Sequence, residues 1–194
     1  MSVTASDLDA ATAALAAALE PVVNRDWTAA TGTGDLNAFR TVEHLGDCLL
    51  SYAAQLVSCP RDRYVAFEAG LTPDATAADA LEFAVTGGRL LAAAVRTASP
   101  DARAYHPTGM ADPAGFAGMG VVEILVHGED VARGLGVAVE PPADVCARVL
   151  ERMFPEVTVA AEPWTALLWA TDRVELPGLP NRAGWRWRGT PAGE

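Results

Sequence analysis

The chain has no lysine: all 14 of its basic residues are arginine, set against 25 acidic ones, for a formal net charge of −11 at pH 7. Phosphate contacts need clustered cations, so this balance argues against sequence-independent binding to nucleic acid or to an anionic membrane, and small molecules are the expected partners. Cysteine is scarce too. Cys48, Cys59 and Cys146 are odd in number and lack C-x-x-C spacing, which indicates neither a disulfide framework nor a zinc ribbon. No apolar run reaches the length that crosses a bilayer. The opening stretch "MSVTASDLDAATAALAAALE" lacks the basic start and strongly apolar segment of a secretory signal, so a cytoplasmic location is expected. Gly32 and Gly34 sit outside any strand–loop–helix phosphate motif. There is no internal repeat and no low-complexity segment.

What is present is alanine, within a composition that is 51% hydrophobic. Small side chains suit close helix packing, and 194 residues suffice for one domain with a real core and a small appendage. Arginine without lysine, together with alanine richness, fits a GC-rich genome.

Apolar spacing of three and four residues predicts helices throughout. The first is expected over 7–23, with Ser6 as N-cap and Leu8, Leu15, Leu19 and Val22 on its face. A second follows over 36–57 through Phe39, Val42, Leu45, Leu49, Tyr52 and Leu56. "SCPRDRYVAFEAGLTPDA" is a connection long enough to cross the end of a bundle. Thr76 and Asp79 resemble a capping box that opens a third helix ending near Val95. Gly87 and Gly88 inside it imply a close neighbour or a bend. The fourth is expected over 116–133, closed by Gly134 and Gly136. Pro142 can start a fifth helix reaching Met153, "PWTALLWATDRVEL" a sixth, and "GWRWRGTPAGE" a short strand or extended tail. The predicted fold is all-α: a four-helix bundle over 5–137, with a C-terminal extension of short helices and irregular tail over 138–194.

The fourth helix carries the chemistry. In "VVEILVHGEDVARGLG", Glu123, His127 and Asp130 fall within about 60 degrees of one another around the helix axis, a polar stripe among apolar neighbours. A buried carboxylate needs a partner, either an arginine or an ion. The chain has only three histidines, and "RTVEHLGDCLL" places one of them, His44, beside an apolar face of the second helix. His44, Glu123 and His127 on two facing helices would make a three-ligand site with open positions, as catalytic zinc requires. Set against this are a buried salt bridge and a satisfied core histidine.

"TVEHL" and "VVEILVHGEDVARGLG" resemble the DinB-like metalloenzyme superfamily, specifically the metal-binding domain of mycothiol-dependent maleylpyruvate isomerase, over roughly residues 5–137. The resemblance implies a four-helix bundle holding a divalent metal through His44, Glu123 and His127, with Asp130 behind the second histidine or facing substrate. Zinc is the first expectation for the ion, with nickel, manganese and iron as alternatives. It also implies mycothiol as thiol cosubstrate, an actinobacterial thiol that agrees with a GC-rich source. Glu129 departs from the aromatic residue that relatives often carry before that aspartate. The segment after residue 137 is too short for the isomerase's full second domain, although "ALLWATDRVELPG" looks like a fragment of such regions.

An open divalent ion can bind a thiol and favour its thiolate. The function expected is therefore an S-transferase or isomerase acting on a small electrophile. The alternatives are a metal-assisted hydrolase with Asp130 as base, and a non-catalytic ligand- or metal-binding bundle. Among other residues, Cys48 lies four after His44 as either a soft ligand or a small core residue. His106 in the "AYHPTGM" loop could bind substrate or donate a proton, or simply be exposed. Arg182, Arg186 and Arg188 could meet a carboxylate of the thiol if the tail folds over the pocket, with Trp185 and Trp187 as surface-covering residues otherwise. Trp27 and Tyr52 are expected as core or loop anchors. The oligomeric state is left open, a homodimer included.

Overall fold

The computed structural model describes residues 2–191, and they form an all-α protein. Helices α1 (Ala5–Leu19), α2 (Ala38–Ser58), α3 (Ala77–Thr97) and α4 (Pro113–Gly134) make the main bundle, and α5 (Ala143–Met153) and α6 (Pro163–Ala170) extend it. No helix among the described residues is long and apolar enough to cross a membrane.

Local chemistry sets the helix starts. Thr4 rather than Ser6 caps α1, because Asp7 reaches back to the Thr4 backbone N–H in a capping box. Thr76 and Asp79 form the expected box on α3. Asn37 caps α2 by accepting from the Arg40 N–H, and α4 begins at Pro113 behind Asp112, which accepts from the Gly115 N–H. That start is three residues before the periodicity alone suggests, since Pro113 suits a first turn and breaks the apolar pattern there.

Contacts between helices give the directions. Gly46 lies against Phe83 and Leu49 against Gly87, so α2 and α3 run parallel; Leu8 meets Gly120 and Leu15 meets Gly128, so α1 and α4 are parallel too. Tyr52 bonds Glu123 while His44 packs on His127, which makes α2 and α4 antiparallel. The topology is up, down, down, up. Parallel neighbours cannot share a tight hairpin, which explains the long connection after α2. It turns back along that helix, with Gln55 receiving the Val65 N–H, Asp47 that of Ala69 and Glu43 that of Leu71.

Gly87 and Gly88 mark close approaches, not a bend. A Cβ at Gly87 would come within 3.1 Å of the Gly46 carbonyl oxygen, and one at Gly88 within 2.5 Å of Thr12 Oγ1. The core between the helices is filled by Leu8, Leu15, Leu45, Leu49, Leu91, Met119, Ile124 and Leu125, all fully buried. Helix α5 packs on α4 and α6. The tail forms no strand among the described residues; it is extended, with Trp185 and Trp187 half-buried against the core and not merely covering the surface.

Candidate metal centre

On α2, His44, Cys48 and Tyr52 recur every four residues and form a second polar stripe facing the one on α4. Between the helices, the ligand atoms of His44, Cys48 and Glu123 all lie within 4.8 Å of one another. Cys48 Sγ stands 3.5 Å from His44 Nε2. The rings of His44 and His127 meet edge to face with centroids 5.6 Å apart. His44 is exposed and Glu123 is buried, so the group runs from the surface into the bundle.

Glu123 is held from both sides. The Tyr52 hydroxyl donates to Oε1 at 2.9 Å, and His127 Nε2 sits 2.9 Å from Oε2. Burial pushes the Glu123 carboxyl up, but hydrogen bonding and charge from His127, helped by Tyr52, outweigh it and leave the group below its ordinary value. For His127, burial disfavours the charged ring, yet Asp130 and Glu123 raise its pKa to about 9. His127 Nδ1 lies 3.5 Å from Asp130 Oδ2, close enough for charge attraction but too long for a good hydrogen bond, and this buried nitrogen has no other partner. Burial likewise raises the Cys48 thiol, with Glu123 adding to the effect.

Asp130 is anchored in turn. Arg173, which follows α6, donates to it through Nη2 at 2.9 Å and Nε at 3.3 Å, and also donates to Thr33 Oγ1 at 3.2 Å. Burial alone would push the Asp130 carboxyl up, but His127 and Arg173 hold it down at about 2. Glu123, His127, Asp130 and Arg173 thus form one line of alternating charge from the bundle to the C-terminal extension.

His106 is buried, not exposed. Its ring packs against Tyr52, Tyr64 and Trp187 with centroids 6.0, 6.1 and 5.9 Å away. Nδ1 accepts the Thr108 N–H at 3.1 Å, so the proton of the neutral ring is on Nε2. Burial lowers its pKa to about 4, with Glu123 opposing. Arg182 pairs with Glu156 at 2.6 Å and lies over the Trp169 ring, and Arg186 is exposed. Glu129 faces elsewhere, pairing with Arg133 at 2.8 Å and accepting the Val139 N–H.

The structure therefore brings His44, Glu123, His127 and Asp130 together, with His106 one ring behind through Tyr52. Tyr52 and Arg173 are the partners that sequence reasoning missed. The four-residue recurrence of His44, Cys48 and Tyr52 was an available signal for the tyrosine; nothing local marked Arg173. Imidazole, thiol and carboxylate donors suit zinc or another borderline divalent ion. Asp130 beside the inner histidine supplies the carboxylate that a ligating imidazole commonly needs on its other nitrogen. The residues present fit such an ion. No protein-family model, no curated protein and no solved structure matches the chain.

Proposed function

We propose that the protein is a divalent-metal-dependent enzyme that adds a low-molecular-weight thiol of the mycothiol type to a small electrophile, as an S-transferase or as an isomerase working by addition and elimination. The observation that carries the metal part is the convergence of His44, Cys48 and Glu123 donors within 4.8 Å between α2 and α4. The thiol part rests on the likeness of "TVEHL" and "VVEILVHGEDVARGLG" to the DinB-like, maleylpyruvate isomerase type of metal domain.

In this reading His44, Glu123 and His127 hold the ion, zinc before nickel, manganese or iron. A bound divalent ion supplies positive charge that favours the ionised form of a thiol near neutral pH. The chain itself does the positioning. Tyr52 fixes one oxygen of Glu123, leaving the other directed at His127. Asp130, held by Arg173, orients the His127 ring and takes up its charge. His127 must be unprotonated to ligate, so uptake of the ion releases a proton. During addition the S–H proton passes to solvent, a C–S bond forms and the neighbouring carbon takes up a proton from solvent. The neutral His106, whose Nε2–H can donate a hydrogen bond, is assigned to binding the substrate, and no protein nucleophile is needed. Arg186, which is exposed, is the cation assigned to the thiol's carboxylate, because Arg182 is already paired with Glu156.

A metal-free structural bundle is the second reading, favoured by one observation: both oxygens of Glu123 already have protein partners. The test begins with the metal content of tag-free wild type, His44→Ala and Glu123→Gln, each checked for helical folding. Consumption of activated alkenes and epoxides is then followed with and without mycothiol. Near one equivalent of ion in wild type, lost in both folded variants, with turnover that requires the thiol, is the expected result. Turnover with water alone would turn the assignment to hydrolysis. No ion after reconstitution with zinc, nickel, manganese and iron(II) would overturn the proposal and favour the structural bundle.

A further inference from the structure

The resemblance implies a sulfur-free ligand set, yet the structure sets a thiol among the donors. Cys48 is one helical turn after His44, so both side chains leave α2 on the same side. Its Sγ stands 3.5 Å from His44 Nε2 and 3.8 Å from Nδ1, and it lies with the Glu123 carboxylate inside the same 4.8 Å group. A small core residue would face the other α2 positions that fill the bundle, such as Leu45 and Leu49, both fully buried. Cys48 instead shares the polar stripe with His44 and Tyr52. The other two cysteines are placed differently. Cys59 ends α2 with its thiol donating to the Leu56 carbonyl, and Cys146 is buried in α5.

We propose that Cys48 is a metal ligand, so that a thiolate joins His44 and Glu123 on the ion held between α2 and α4. The inference rests on the metal-centre reading and adds sulfur to its donor set. On ligation the S–H proton passes to solvent as the S–metal bond forms, with no change of oxidation state. A thiolate donor shifts preference toward zinc and cobalt(II) and away from manganese(II), which favours oxygen ligands. It also places a protein sulfur beside the position that an incoming thiol would occupy, which distinguishes this centre from one built of imidazoles and carboxylate alone.

Cobalt(II) substitution tests this without recourse to activity. Cobalt-loaded wild type should show a near-ultraviolet thiolate-to-cobalt charge-transfer band besides its visible ligand-field bands. Folded Cys48→Ser should keep the visible bands and lose the charge-transfer band, while a Cys59→Ser/Cys146→Ala variant should retain it. Zinc affinity in Cys48→Ser should fall by more than the about 10- to 100-fold lost when a group behind a ligand is removed, with a much smaller change for manganese(II). Cobalt uptake by wild type without a charge-transfer band, or a band that survives in Cys48→Ser, would overturn the role of Cys48 and leave the metal centre standing. Failure of wild type to take up cobalt or zinc at all would overturn both.

Discussion

Tyr52→Phe removes one oxygen atom and nothing else, which makes it the cleanest perturbation of the centre. The lost hydroxyl donates to Glu123 Oε1 at 2.9 Å. Tyr52 is 5% exposed and Glu123 8%, so water has little access to replace the donor. A hydrogen bond to a charged group contributes about 1.5–3 kcal/mol, and the void left by a hydroxyl is too small to add much. A chain of this size loses about 2–4 °C of Tm per kcal/mol, so the variant should melt about 3–12 °C lower. The assay is urea and thermal unfolding in the presence of chelator, with an unchanged denaturant slope as the check that the same surface is exposed. In a Glu123→Gln background the acceptor is neutral, and the same substitution should cost about 0.5–1.5 kcal/mol. A loss below about 0.5 kcal/mol in the wild-type background would refute the claim that Tyr52 sustains the buried carboxylate. An equal loss in both backgrounds would refute the coupling to its charge.

Three further outcomes follow from the same network. His127 has a folded pKa of about 9 against an ordinary 6.5, so the stability it contributes to the metal-free protein is whole below pH 6.5 and is lost as pH rises through about 9. Urea midpoints across that window should fall in wild type and fall less in His127→Gln; equal slopes would exclude His127 as the source. Arg173→Met leaves Asp130 without its guanidinium, and because the two side chains keep 17% and 12% exposure the cost should be about 2–3 kcal/mol, below the about 3–5 expected of a fully buried pair. The Asp130 carboxyl, held at about 2, should titrate higher by NMR, and an unmoved pKa would show that Arg173 does not act on it. Gly134→Ala would put a Cβ 1.9 Å from the Thr31 carbonyl oxygen, so chemical unfolding should show a loss of about 1–3 kcal/mol or more despite the better helix former; a neutral result would mean that the loop holding Thr33 moves freely.

The helices were legible because the apolar period is long and regular in α2 and α3, and because Thr76 and Asp79 announce the start of α3 unaided. The start of α1 lies two residues before the one Ser6 suggests, because Ser6 and Thr4 are both good caps and only the reach of the Asp7 side chain decides between them. The stripe of Glu123, His127 and Asp130 could be read from spacing, since all three lie on one helix. Arg173 could not be: it is 43 residues from Asp130 in sequence, and nothing in "TDRVEL" says which carboxylate the arginine meets. The burial of His106 is hidden in the sequence for a related reason. A loop position suggests exposure, but its burial depends on Tyr52, Tyr64 and Trp187 arriving from three separate segments.

The antiparallel pairing of α2 with α4 explains why the centre lies where it does. Running in opposite directions, the two helices bring His44 on α2 beside His127 on α4 and Tyr52 beside Glu123. A parallel pairing would reverse that order and leave Tyr52 at the wrong end to reach Glu123. The up, down, down, up arrangement therefore follows through to the chemistry: it requires the long return connection along α2, and in exchange it lets two stripes of four-residue spacing face each other across one seam. Arg173 then ties one end of that seam to the segment after α6, so the C-terminal extension acts on His127 through Asp130. Shortening the chain before residue 173 would remove that tie, and with it the Trp187 ring that packs on His106 behind Tyr52.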